Sequence, residues 1–176
     1  MKLIFLDIDG VLNSERTALA YGRGHIDKTC VDLVNKLARD SWADVVVSSS
    51  HRQDFLGPSM RRDDLAIPCM VAELVDLEGL QRYMASLGLT ARVIGATPSI
   101  SVDRDAQPIV RRPLRGFEIK LWLSTHQPTD LYGYVIIDDL NVAHDDQREH
   151  FVRVNGEEGF GYKNTVEAVR ILARGD

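Results

Sequence analysis

Three stretches of the chain bring together residue types that can do chemistry: Asp7-Ile8-Asp9-Gly10, Ser48-Ser49-Ser50-His51-Arg52 and Asp138-Asp139. Each follows a short apolar run. Side chains alternate between the faces of a strand, so Asp7 and Asp9 can point the same way for as long as the strand lasts. Two ionised carboxylates so close repel each other unless one takes a proton or a divalent cation sits between them. Gly10 then lets the backbone turn sharply. A buried strand ending in a polar turn would explain the first stretch alone, but not three such ends in one chain. In open parallel sheets, ligands bind beyond the carboxyl ends of the strands, where residues just after strands meet. Convergence of Asp7, Asp9, Asp138 and Asp139 calls for a cation. Oxygen donors suit a hard ion such as Mg²⁺, which keeps several waters and binds through one or two carboxylates together with substrate phosphate.

The elements that must position these residues follow from periodicity. Residues 3–6 form a first apolar strand, and 14–24, polar with Gly22 and Gly24, reads as a loop over its end. Asp27 caps a helix to about residue 39, with Val31, Val34, Leu37 and Ala38 at helical spacing. The run 43–47 reads as a strand buried on both faces. Residues 53–68 have no clean period and contain Gly57, Pro58 and Pro68, so they read as irregular or partly helical. A helix over 76–87 ends before Gly88. A strand over 92–96 leads into a long loop, 97–114, with Pro98, Pro108 and Pro113. A helix opens at Arg115 or Gly116 and runs to about residue 124, burying Ile119, Trp122 and Leu123. Strands over 134–137 and 151–154, a glycine-rich loop over 155–162 and a helix over 164–173 complete the chain. Strands alternating with helices predict an α/β class with a mainly parallel sheet covered on both faces.

Composition sets bounds on the whole. The 176 residues suit a single domain, 1–176, and 44% apolar with 27% charged residues is ordinary for a globular protein. No apolar run approaches the roughly 20 residues of a membrane span, and the N-terminus shows neither basic leader nor cleavage pattern, so a cytoplasmic protein is expected. Cys30 and Cys69 are too few and too far apart for a metal cluster and read as reduced thiols. A net charge of −5 argues against nonspecific nucleic-acid binding over the whole surface, yet Arg104, Arg111, Arg112 and Arg115 cluster, and Arg61 and Arg62 add a pair. The planar donors of arginine can bind two phosphate oxygens at once, although a solvated loop explains the cluster equally well. Gly156, Gly159 and Gly161 reverse the spacing of the dinucleotide fingerprint and read as a loop near the pocket. Histidines placed like His25 and His51 commonly just hydrogen-bond their neighbours, and Trp122 reads as core.

The order of these motifs resembles the haloacid dehalogenase (HAD) superfamily of phosphohydrolases. The stretch from Phe5 to Asn13, Ser48-Ser49-Ser50-His51-Arg52, and Arg115-Gly116-Phe117-Glu118-Ile119 with Trp122 resemble, more narrowly, the HAD domains associated with Swiss Army Knife RNA repair proteins. The resemblance spans nearly the whole chain. It implies a Rossmann-like three-layer sandwich with a minimal cap, because one loop and one helix fill the interval between the first two motifs. It also implies phosphatase chemistry through an aspartyl-phosphate. Asp7 would be the nucleophile and Asp9 the acid/base. Asp7, the backbone carbonyl of Asp9 and Asp138 would hold Mg²⁺, with Asp139 a water-mediated ligand or a positioning group. Ser48 would hydrogen-bond a phosphoryl oxygen, with Ser49 its substitute. Arg115 would be the stabilising cation where the superfamily more often has lysine, with Lys120 its rival. Ser49, Arg52, Arg111 and Arg112 would bind substrate, expected to be a nucleotide or nucleic-acid-end phosphate. The alternatives are a small sugar phosphate, or a module that binds phosphate or nucleic-acid ends without turnover. A signalling receiver domain is the poorer reading, because its phosphoacceptor would follow the second strand, where this chain has serine.

Overall fold

The apolar strand β1 (Lys2–Leu6) is the middle strand of the main sheet. The structure is a computed structural model and describes residues 1–62, 65, 69–101 and 114–174. After β1 come α1 (Glu15–Tyr21), α2 (Lys28–Ser41), β2 (Ala43–Val47), a 3-10 segment at Ser50–Phe55, β3 (Met60–Arg62) and β4 (Cys69–Ala72). Then follow α3 (Leu77–Ser86), β5 (Val93–Ala96), β6 (Ser99–Ser101), α4 (Leu114–His126) and β7 (Gly133–Asp138). A second 3-10 segment at Asp145–His150, β8 (Phe151–Arg153) and α5 (Tyr162–Ala173) end the chain. The main sheet has the order β5-β2-β1-β7-β8, and every pair in it is parallel.

Alternation along the strands sorts the core into two layers. Ile4, Leu6, Val45, Val47, Val135 and Ile137 face α2, α3 and α5, which bury residues such as Val34, Met84 and Leu172 against them. Leu3, Phe5, Val46 and Ile136 face the other way, onto Ile119 and Trp122 of α4. The Phe5 ring meets Trp122 edge-on at 5.6 Å, so Trp122 is core. This is the three-layer α/β architecture read from the pattern of strands and helices.

Three local features differ from the sequence reading. The loop expected over 14–24 contains the short helix α1, nucleated by Ser14, whose hydroxyl accepts from Thr17 N at 3.1 Å. Only Thr17 of that helix is buried, so there is no apolar stripe to betray it. Residues 53–68 and the following stretch supply β3 and β4. With β6 these form a small antiparallel sheet of order β3-β4-β6, whose three- and four-residue strands are too short to show a period. A 3-10 turn also fills part of the connection between β7 and β8. The long 97–114 loop yields β6, while Arg104, Arg111 and Arg112 lie outside the described residues.

Candidate active site

The register of the sheet places the catalytic-type residues in one row. Leu6 opposes Val47 and Ile137, and Val47 opposes Ala96. One residue further, Asp7 therefore stands beside Ser48 and Asp138, and Ser48 beside Thr97. The ladder continues across this row: Asp7 N donates to Ile137 O at 3.0 Å, Ser48 N to Leu6 O at 2.8 Å, and Thr97 N to Val47 O at 2.9 Å. Row partners share a face. This row follows Leu6, Val47 and Ile137, so it points to the opposite side, where α4 packs.

α4 accordingly delivers Arg115 into the row. The guanidinium Nη1 lies 2.9 Å from Asp7 Oδ2 and 2.7 Å from Asp138 Oδ2. Burial works against its charge, but Asp7 and Asp138 outweigh burial and hold it protonated. Lys120, the rival, pairs instead with Asp146 at 2.8 Å. Gly116 makes the approach possible, because a Cβ there would sit 2.7 Å from Val142 O and closer still to the His144 ring.

Oxygens of Asp7, Asp138 and Asp139 lie within 4.8 Å of one another. Burial and the neighbouring Asp7 push the Asp138 carboxyl up to about 7, and the same two causes raise Asp139. Three acids held this close offer hard oxygen donors that fit a Mg²⁺-type cation. Asp139 is seated between two glycines: a Cβ on Gly10 would fall 2.4 Å from its Oδ2, and one on Gly156 3.0 Å. Gly10 also has φ +73°, a left-handed conformation that favours glycine. The glycine-rich loop thus lies against the acids.

Not every expected residue joins them. Convergence of four carboxylates was expected, and three converge: the Asp9 side chain is 58% exposed and turned to Asn13 Nδ2 at 3.0 Å and His51 Nε2 at 3.1 Å. It turns away because the chain leaves the strand at this point. Ser48 Oγ is buried and has no hydrogen-bond partner among the described residues, whereas the Ser49 hydroxyl accepts from His51 N and caps the 3-10 segment. Arg52, expected at the substrate, is 3% exposed instead. Its Nε donates to Thr97 O at 2.9 Å, Nη1 to Ser49 O, and Nη2 to Pro98 O at 3.1 Å and to Glu118. A buried guanidinium needs all these acceptors, so Arg52 braces the strand ends beneath the row. Arg111 and Arg112 lie outside the described residues.

Glu118 stands in the motif that carries the family resemblance but was given no role, though spacing could have found it, since it stands three residues after Arg115 on the same helical face. It is buried, and its second oxygen accepts from Ile100 N at 3.0 Å. Thr97 was missed, because its strand end carries no acid; its hydroxyl is buried without a partner among the described residues. A groove of about 720 Å³ lies elsewhere, lined by Arg148, Phe151, Tyr162 and Arg170 among others, and contains none of these residues.

A parallel sheet with an aspartate at the end of its central strand, an acidic pair after the neighbouring strand and a cation from the facing helix is the architecture of the HAD superfamily, whose members are usually phosphohydrolases. Within it, the chain belongs to the family described as the HAD domain in Swiss Army Knife RNA repair proteins, which it matches over residues 3–164. Comparison with curated proteins and with solved structures gave no match. Among the described residues, no helix is long and apolar enough to cross a membrane.

Proposed function

We propose that the chain is a Mg²⁺-dependent phosphohydrolase that removes the terminal phosphate of a nucleotide or nucleic-acid end through an aspartyl-phosphate. The observation that carries this reading is Arg115 bridging Asp7 and Asp138 in the same row as the unpartnered, buried hydroxyl of Ser48. A phosphoryl group over the row would give Ser48 the acceptor it lacks and share the guanidinium of Arg115.

In the first displacement, an Asp7 oxygen forms a bond to phosphorus as the bond to the leaving oxygen breaks, and Asp9 gives that oxygen a proton. In the second, Asp9 takes a proton from water as it attacks phosphorus, and the bond to Asp7 breaks to restore the carboxylate. Arg115 stabilises the equatorial oxygens in both steps, and Ser48 donates to one of them. Asp7, Asp138 and the backbone carbonyl of Asp9 would hold Mg²⁺, with Asp139 bound directly, through water, or acting to position its neighbours. The ion would let an anionic nucleophile approach an anionic phosphate.

The substrate class rests on two supports. The family is one found in RNA repair proteins. The second is the modest size of the additions between the motifs, α1 and the three-stranded sheet, which favours a site open to a large substrate over a sugar-phosphate pocket. In this reading Arg111 and Arg112, just ahead of α4, bind the remainder of the substrate, and the setting is cytoplasmic. The test is phosphate release with Mg²⁺ from p-nitrophenyl phosphate, mononucleotides, sugar phosphates and 3′- or 5′-phosphorylated oligonucleotides. Turnover fastest on nucleotides or oligonucleotides and abolished by Asp7→Asn is expected. No release from any substrate, or full activity in Asp7→Asn, would sink the reading, and tight oligonucleotide binding without release would replace it with a non-catalytic module.

A further inference from the structure

Both oxygens of the Asp9 carboxylate are held. Oδ1 accepts from Asn13 Nδ2 at 3.0 Å, and Asn13 is itself fixed by Gly10 N, which donates to its Oδ1 at 2.7 Å. Oδ2 lies 3.1 Å from His51 Nε2, and His51 Nδ1 lies 3.1 Å from the Tyr83 hydroxyl. An ionised carboxylate only accepts, so the hydrogen on Nε2 points at Asp9. In the neutral ring Nδ1 is then the acceptor and the Tyr83 hydroxyl donates to it, which fixes the tautomer.

The support behind His51 is rigid. Tyr83 comes from α3 and stacks on His51 at 6.0 Å between ring centres, with Phe55 packed against it at 5.4 Å. His51 lies on the 3-10 segment between its Ser49 cap and the buried Arg52. Asp9, more than half exposed, would otherwise be free to sample several rotamers.

We propose that His51, oriented by Tyr83, is the positioning residue for Asp9, fixing its carboxyl on the leaving-group side of the site. This rests on the phosphohydrolase reading, with Asp9 as the proton donor. Proton donation matters most when the leaving oxygen is a strong base, so loss of positioning harms alkyl phosphates and spares aryl phosphates with acidic phenols. A purely structural role would lower activity on both alike.

The experiment compares kcat/KM for p-nitrophenyl phosphate and for 2-glycerol phosphate in the wild type, His51→Ala, His51→Gln and Tyr83→Phe, with thermal melting to check folding. Transfer to Asp7 is contained in kcat/KM, so the second displacement does not mask the effect. His51→Ala is expected to lose on the order of 10–100-fold on the alkyl phosphate, a fraction of the full general-acid contribution, and under about threefold on the aryl one. His51→Gln, whose amide can reach Asp9, restores part of the loss, and Tyr83→Phe shows a milder split. Equal losses on both substrates, or none on the alkyl phosphate, overturn the proposal while leaving the phosphohydrolase reading intact. Wild-type protein inert on every phosphate overturns both. Independently of turnover, nitrogen NMR of the His51 ring should report hydrogen on Nε2, with a signal that moves in Tyr83→Phe; hydrogen on Nδ1 also overturns the proposal.

Discussion

Arg115 carries its charge in the first turn of α4, where the helix dipole disfavours a cation. Two carboxylates at 2.7 and 2.9 Å hold it there against that field. On the phosphohydrolase reading, Arg115→Ala should lower kcat/KM on p-nitrophenyl phosphate by about 100-fold or more, comparable with removing an oxyanion donor. Lys120→Ala should change it by less than about twofold, since its partner Asp146 lies outside the row. Such an assay decides between the two cations that the sequence left open. Cys30 offers a separate check. Burial first, and then Asp27, raise its thiol from 9.0 to about 11. The proton retained in the folded state means that this contribution to stability is fully present below pH 9 and is lost as pH rises from 9 through 11. Iodoacetamide at pH 8 should therefore leave Cys30 unmodified in the folded protein and alkylate it in urea, as read by mass spectrometry.

At the scale of elements, two contacts set how α4 meets the sheet. Gly116 lets the first turn of the helix close onto Val142 and His144. Gly116→Ala should lift that turn, displace Arg115 and reduce both melting temperature and activity, with a cost of about 1–3 kcal/mol typical of overpacking, measurable by urea unfolding. The Arg52–Glu118 pair ties the ends of β2 and β5 to the same helix. Glu118→Ala leaves a buried guanidinium short of its carboxylate and should cost about 3–5 kcal/mol in the same measurement. The strands and longer helices could be read from sequence because burial imposes a period on them: β2 is buried throughout, and α2 buries Val31, Val34, Leu37 and Ala38. α1 and the β3-β4-β6 sheet could not, because elements held by a cap or by a few backbone bonds leave no such stripe. The same limit hid the fate of Arg52. An arginine after a serine run looks like a phosphate ligand, and only the carbonyls of Ser49, Thr97 and Pro98, two of them remote in sequence, reveal it as a brace.

At the scale of the whole molecule, the acidic site holds like charges close together. Crowded, buried carboxylates with Asp138 raised to about 7 should be relieved by a divalent cation. Millimolar Mg²⁺ is expected to raise the melting temperature of the wild type, by about 2–3 kcal/mol of stabilisation at a hundredfold excess over Kd, and much less in Asp138→Asn. An equal rise in both proteins would show that the ion acts elsewhere. The row of residues that makes this site was partly readable, since each polar cluster follows an apolar run. Its completion by Arg115 depended on which face of the sheet α4 covers. The central place of β1 also governs how the molecule is assembled. Lys2 pairs with Ala43 on one side and with Gly133 on the other, so the first strand must wait for a partner 131 positions away before its second edge is closed. Such distant pairings slow folding, because loop-closure entropy must be overcome before the contacts form. As the chain leaves the ribosome, Asp7 emerges well before its neighbours Asp138 and Arg115, which come more than a hundred residues later. The nascent chain therefore carries an exposed apolar strand edge from the synthesis of β1 until β7 is made, and truncation anywhere before β7 leaves a fragment with neither a closed sheet nor a site.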